Sequence, residues 1–139
     1  MMQNFEFEIK SSCDDVRSVL GKMRDIVEKK GYREHAGDFE LCAAEALNNI
    51  CGHSYSDSVD GDIYIKLVLM ENQIILKLKD WGNTLMDYSG GSSAPEVNPG
   101  DIENLPERGF GMHIISNLCD EAVYEKSNGY NLHILKMGI

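Results

Sequence analysis

The sequence predicts an α+β fold, a two-layer sandwich in which a mostly antiparallel sheet of about five strands is covered on one face by three helices. Three observations carry that expectation. The hydrophobic period runs strand, helix, helix, hairpin, loop, helix, hairpin along the chain. Short polar connections at Glu71-Asn72 and Ser127-Asn128-Gly129 join paired apolar runs, as antiparallel hairpins require. Strands do not alternate with single crossover helices, so a doubly wound parallel sheet is excluded. A chain of 139 residues is expected to form one domain over 1–139, with a core that needs neither metal nor disulfide.

Residues 4–10 alternate Phe5, Phe7 and Ile9 with Asn4, Glu6, Glu8 and Lys10, the pattern of a strand with one buried face. Ser11 and Ser12 then offer capping hydroxyls. Asp14 and Asp15 follow in a first helical turn, before Val16, Val19, Leu20, Met23, Ile26 and Val27 recur at helical spacing. Gly31 is the predicted stop. A second helix is read from about Gly37 to Tyr55, with Asp38 as its cap and apolar residues around more than half its circumference. Such a helix is largely buried, and Glu45, Asn48 and Asn49 stand out on it.

Ser56 to Gly61 reads as a loop, followed by a hairpin of Asp62–Met70 and Gln73–Lys79. From Gly82 to Arg108 the pattern collapses into Gly, Ser, Asn and acidic residues with all three prolines. A stretch of that length without regular structure is uncommon in a compact domain, and is usually a binding loop or lid. Gly109 to Cys119 reads as a third helix with Met112, Ile114, Ile115 and Leu118 facing inward. Glu121–Lys126 and Tyr130–Lys136 then form the second hairpin.

A formal charge of −10 argues against a nucleic-acid or anionic-membrane surface and points to neutral or locally basic protein partners. The longest apolar stretch, Ile63 to Met70, is broken by Lys66 and far too short to span a bilayer. Cys13, Cys42, Cys51 and Cys119 are scattered along the chain without a close pair, and no apolar leader run precedes them, a pattern that suits the reducing cytoplasm. His35, His53, His113 and His133 do not combine with them at the spacing of a zinc set. His53, four after Asn49, suits either the phosphate end of a site or a capping or partner-facing role. Trp81 suits either stacking on a flat ring or packing.

Three polar elements carry candidate chemistry. Glu45 and Asn49, four apart on one helix, project from the same face and can meet one ligand. Burying a carboxylate and a carboxamide costs roughly 1–3 kcal/mol each unless they are satisfied, which an ordinary hydrogen-bonded pair would also achieve. Asp80-Trp81-Gly82 ends a strand, where a carboxylate can accept from an exocyclic amine and glycine leaves room for a flat ring. By itself this is also an ordinary turn. Arg108-Gly109-Phe110-Gly111-Met112 opens a helix whose free amides suit phosphate, with Arg108 able to add a charge-assisted contact or to remain solvated. Neither a Walker phosphate loop nor a complete dinucleotide fingerprint is present.

Taken in order, Glu45…Asn49, Asp80-Trp81-Gly82, a polar segment over about 83–108 and Gly109-Phe110-Gly111 resemble the ATPase superfamily of gyrase, heat-shock chaperone, histidine kinase and mismatch-repair proteins. Glu45-Ala46-Leu47-Asn48-Asn49 with His53 and Tyr55 is similar to the first box of the anti-sigma factor serine kinases, and Arg108 to Met112 to their second glycine box. The resemblance covers essentially the whole chain. It implies ATP and Mg²⁺ as cofactors, an ATP lid over about 83–108, Asn49 as the Mg²⁺ ligand and Glu45 as general base. It further implies Asp80 at the adenine amino group with Gly82 beside the ring, Thr84 at a position often held by glycine, Arg108 near the γ-phosphate, and Gly109, Phe110, Gly111 and Met112 along the nucleotide. The family usually has Gly-Thr near its last strand, where this chain has Gly129-Tyr130, removing a hydroxyl from the site.

The implied function is an anti-sigma regulatory factor that sequesters a sigma factor or similar target and phosphorylates a serine or threonine on a small antagonist protein. A homodimer is also implied by the resemblance. The alternative is a non-catalytic switch in which ATP gates protein binding, with a structural dimer bearing a vestigial pocket as the third reading. Histidine kinases attach this domain to a phosphoacceptor helix pair, and no such pair is read in this sequence.

Overall fold

The computed structural model describes residues 2–56, 58–82, 115 and 117–139. Five strands, β1 (Gln3–Lys10), β2 (Asp62–Leu69), β3 (Gln73–Asp80), β4 (Glu121–Ser127) and β5 (Tyr130–Gly138), form one sheet in the order β1-β2-β3-β5-β4 with every pair antiparallel. Two α-helices, α1 (Cys13–Val27) and α2 (Ala36–Asn49), pack on one face. Residues 115, 117 and 118 are also helical, where the third helix was expected. The α+β architecture expected from the sequence is therefore the one observed.

Alternation decides which sheet face meets the helices. Ile63, Ile65, Leu67 and Leu69 of β2, Ile74, Leu76 and Leu78 of β3, and Leu135 and Met137 of β5 are all buried. They join Val16, Val19, Met23 and Val27 of α1 and Phe39, Cys42, Ala43, Ala46 and Leu47 of α2 in one core. On β1, Phe5, Phe7 and Ile9 stand opposite Leu67, Ile65 and Ile63 and pack against the same core while remaining partly exposed.

The helix ends follow local chemistry. Ser12 caps α1, its Oγ accepting from Asp15 N–H at 3.2 Å, and Asp14 and Asp15 sit where the helix dipole favours anions. Gly31 has φ +98°, a left-handed backbone that breaks the path from α1 to α2. The α2 N-cap is His35 without a side-chain cap bond, and Asp38 lies in the first turn, so the expected Asp38 cap is corrected. The α-helical pairing of α2 ends at Asn49, and Ile50–Ser54 continue as a wider π-type turn; the expected single helix to Tyr55 is thus two pieces. Wide turns of this kind are frequent at functional sites.

Long-range polar contacts fix the layers. Arg24 reaches Glu28 and Glu40, both at 3.1 Å, linking α1 to α2. Tyr32 Oη donates to Met70 C=O at 2.7 Å, fastening the segment after α1 to the β2–β3 turn.

Leu47→Ala should lower unfolding free energy by about 2–5 kcal/mol, because Leu47 is fully buried between helix and sheet. Ser12→Ala should cost about 1 kcal/mol through the lost cap. Chemical denaturation of both variants checks the order of these two effects.

Candidate functional site: a buried carboxylate at one end of the sheet

Asp80 is the last residue of β3 and faces Asn131 directly across the β3–β5 ladder, with His133 one inward-facing position further along β5. All three are fully buried. Asp80 Oδ1 accepts from Gly82 N–H at 2.9 Å and from Asn131 Nδ2 at 2.8 Å, and Oδ2 accepts from His133 Nε2 at 2.7 Å. Asn131 Nδ2 also donates to Gly82 C=O at 2.9 Å, and its Oδ1 accepts from Tyr124 Oη at 2.8 Å. The Tyr124 and His133 rings lie 5.1 Å apart. Four elements of the chain thus converge on one carboxylate.

Burial alone pushes the Asp80 carboxyl up, but the hydrogen bonds from His133, Asn131 and the Gly82 amide more than offset it and hold the group below the usual carboxylate range. Two carboxylate oxygens offer about four acceptor positions. Three are taken among the described residues, which leaves one acceptor position on Oδ2.

The turn after α2 comes against this strand end. A Cβ on Gly82 would lie 2.2 Å from Ser54 C=O oxygen, so only glycine permits this approach of two backbones. Tyr55 Oη accepts from Trp81 N–H at 2.8 Å and donates to Asp62 C=O at 2.6 Å, clamping the end of β3 to the start of β2. Ser54, 5 % exposed, has a hydroxyl with no hydrogen-bond partner among the described residues. A buried orphan hydroxyl beside Gly82 and a spare acceptor position on Asp80 are the features of a polar ligand site. They offer one acceptor and one hydroxyl to a polar ligand. Asn49 is buried at the C-terminal end of α2, on the same end of the molecule, while Glu45 is half-buried one turn earlier and Asn48 is exposed.

The family is decided by a match of residues 9–137 to the model of the histidine kinase-like ATPase domain. The chain belongs to that family. Relatives include the serine-protein kinase RsbW of Bacillus cereus (strain AH820), 27% identical over 144 residues with 98% of this chain and 88% of the relative covered. RsbW of Bacillus mycoides (strain KBAB4) is 26% identical with the same coverage. Among solved structures, the RsbU and RsbW domains of Rv1364c from Mycobacterium tuberculosis superpose with a TM-score of 0.67 at 15% identity, covering 97% of this chain and 32% of that one. The histidine kinase domain of the Erythrobacter litoralis blue-light activated histidine kinase EL346 superposes at 0.52 and 16% identity, covering 88% of this chain and 60% of that one. These likenesses show a shared fold.

Of the residues singled out in the sequence, Asn49, Asp80 and Gly82 fall at one end of the sheet, with Glu45 a turn away on α2. Thr84, Arg108, Gly109, Phe110, Gly111 and Met112, with the expected lid, lie outside the described residues. Among the described residues, no cluster of three His, Cys, Asp or Glu side chains could hold a metal, and no helix is long and apolar enough to cross a membrane. Trp81 is 48 % exposed, so it is not packed in the core. A depression lined by Lys30, Arg33, His35 and Glu71 lies at the far end of the sheet and contains none of the candidate site residues.

Sequence reasoning missed Asn131 and His133. It attributed the changed last strand to Tyr130, but Tyr130 points to the outer face, its ring 4.0 Å from Lys79 Nζ, and Asn131 is the neighbour that reaches Asp80. The signal was present. Asn131 and His133 share the inward phase of Leu135 and Met137, two polar residues on the core face of a strand.

Because folded Asp80 is held below its ordinary value of 3.8, its stabilising contribution is complete above that pH and is lost as pH falls through the lowered folded value. Asn131→Ala removes a donor and raises that folded value, so acid unfolding followed by circular dichroism should begin at higher pH than in the parent protein. Gly82→Ala should destabilise the fold by about 1–3 kcal/mol, since the new methyl meets backbone rather than a movable side chain.

Proposed function

We propose that this chain is an ATP-dependent serine/threonine-protein kinase acting as an anti-sigma regulatory factor: it sequesters a sigma factor or similar target and phosphorylates a small antagonist protein. The observation that carries the nucleotide reading is the buried Asp80 carboxylate, with its spare acceptor position, beside Gly82 and the orphan Ser54 hydroxyl. The family membership and the likeness to RsbW kinases support the rest.

In this reading Asp80 accepts from the adenine amino group, and the ring lies beside Gly82. Asn49 contributes a carboxamide oxygen to Mg²⁺. That ion suits a site with few protein ligands, since it usually keeps several waters and completes its shell with substrate phosphates. ATP supplies the phosphoryl group, and bound Mg²⁺ neutralises charge on the phosphates. Glu45 takes the proton of the acceptor hydroxyl, a contribution of about 10²–10⁴-fold. Arg108 offsets charge on the γ-phosphate, Gly109 and Gly111 present backbone amides to the phosphates, and Phe110, Met112 and Thr84 complete the nucleotide enclosure. The partners are the antagonist protein and the sequestered target.

Incubating the protein with radiolabelled ATP, Mg²⁺ and its cognate antagonist should transfer label to the antagonist. Asn49→Ala should abolish transfer together with MgATP binding. Glu45→Gln should retain binding and lower transfer at least 100-fold. No transfer by the parent protein under conditions where ATP binds would remove the kinase and leave a non-catalytic ATP-gated switch.

A further inference from the structure

The fold brings together two cysteines that the sequence keeps 77 residues apart. Cys42 on α2 and Cys119, just after the helical residues 117 and 118, place their sulfurs 3.3 Å from one another, sharing a thiol hydrogen bond. The scatter of cysteines along the chain is not their arrangement in space. Cys42 is 2 % exposed among Phe39, Ala43, Ile74 and Leu135, whereas Cys119 is half-buried. The hydrogen bond shared with Cys42 lowers the Cys119 thiol below its ordinary value and makes it the more readily ionised sulfur, while Cys42 is pushed up by that same bond and by burial.

We propose that Cys42 and Cys119 form a reversible intramolecular disulfide, a redox-modification site that takes hydrogen peroxide as oxidant and a dithiol as reductant. The Cys119 thiolate attacks one peroxide oxygen; the O–O bond breaks, hydroxide leaves and Cys119 becomes a sulfenic acid. The Cys42 sulfur then attacks that sulfur; the S–O bond breaks, and the departing hydroxide takes the Cys42 proton as water. Two thiols lose two electrons and two protons, and the peroxide is reduced to two waters. A buried resolving thiol already in van der Waals contact shortens the life of the sulfenic acid, which limits further oxidation.

The geometry asks little of the chain. The sulfurs close from 3.3 Å to about 2.05 Å, a distance two side-chain rotations can share. The bond would join the helix carrying Glu45 and Asn49 to the segment leading into β4. In a reducing compartment such a bond is transient and reports oxidant. A cross-link spanning a long stretch of chain also restricts the unfolded ensemble, so oxidation raises stability. This inference stands apart from the nucleotide reading.

The test treats the reduced full-length chain with hydrogen peroxide in molar excess, alkylates the remaining thiols and maps the peptides by mass spectrometry. The expected product is lighter by two hydrogens, keeps Cys13 and Cys51 as alkylatable thiols, and yields a Cys42–Cys119 cross-linked peptide. Its thermal midpoint rises by about 5–10 °C, and dithiothreitol reverses both changes. Cys42→Ser and Cys119→Ser each abolish the cross-link, while the double variant Cys13→Ser/Cys51→Ser keeps it. Four alkylated cysteines after treatment, a cross-link through Cys13 or Cys51, or Cys119 accumulating as sulfinic acid without a cross-link would each overturn the proposal. The peptide map of the unsubstituted protein decides the matter even if a serine at position 42 impairs folding.

Discussion

The site depends on one constraint: a carboxylate buried at the end of β3 must be given enough hydrogen-bond donors to remain charged. An unpaired Asp80 in this core would be costly, and the protein supplies three donors from two directions. Two come from β5, which lies beside β3 while β4 occupies the edge. The third is the Gly82 amide, two residues further along the chain. Asn131 is in turn oriented by Tyr124 of β4, so the edge strand also holds the carboxylate in place. A buried hydrogen-bonded network of this kind rigidifies its surroundings and leaves few alternative arrangements.

The helix layer is joined to this point by close backbone contact. The π-type turn after Asn49 widens the end of α2 and lets Ser54 sit against Gly82, while Tyr55 bridges the ends of β2 and β3. A regular α-helical continuation would carry Ser54 and Tyr55 in a different direction. The placement of Asn49 at the same end as Asp80 therefore follows from the geometry of the turn that succeeds it. Cys42 lies on the same helix, and its contact with Cys119 connects α2 with the chain entering β4.

Much of this fold is legible in the sequence, for identifiable reasons. Strand alternation, the Ser12 cap, Gly31 and both hairpin turns are local signals, and each element they imply is present. Local signals place the helix boundaries less well: Asp38 has the chemistry of a cap, yet the preceding 3₁₀ turn at Arg33–His35 starts the helix earlier. Nothing local distinguishes an α from a π continuation at Ile50. Asp80 and Gly82 were visible as a strand end, whereas Asn131 and His133 become meaningful only when the β3–β5 register sets them beside Asp80. The cysteine pair is of the same kind, a contact made by tertiary packing and invisible to spacing.

The central proposal is that the spare acceptor position of Asp80 reads the amino group of adenine. The most direct measurement is calorimetric titration of the unmodified protein with MgATP and, separately, MgGTP, which carries a carbonyl where adenine carries its amino group. A site built to accept from that amino group rejects a ligand lacking it, so ATP is expected to bind at least about 100-fold more tightly than GTP. Equal affinities for the two nucleotides, or no heat with either, would contradict the account.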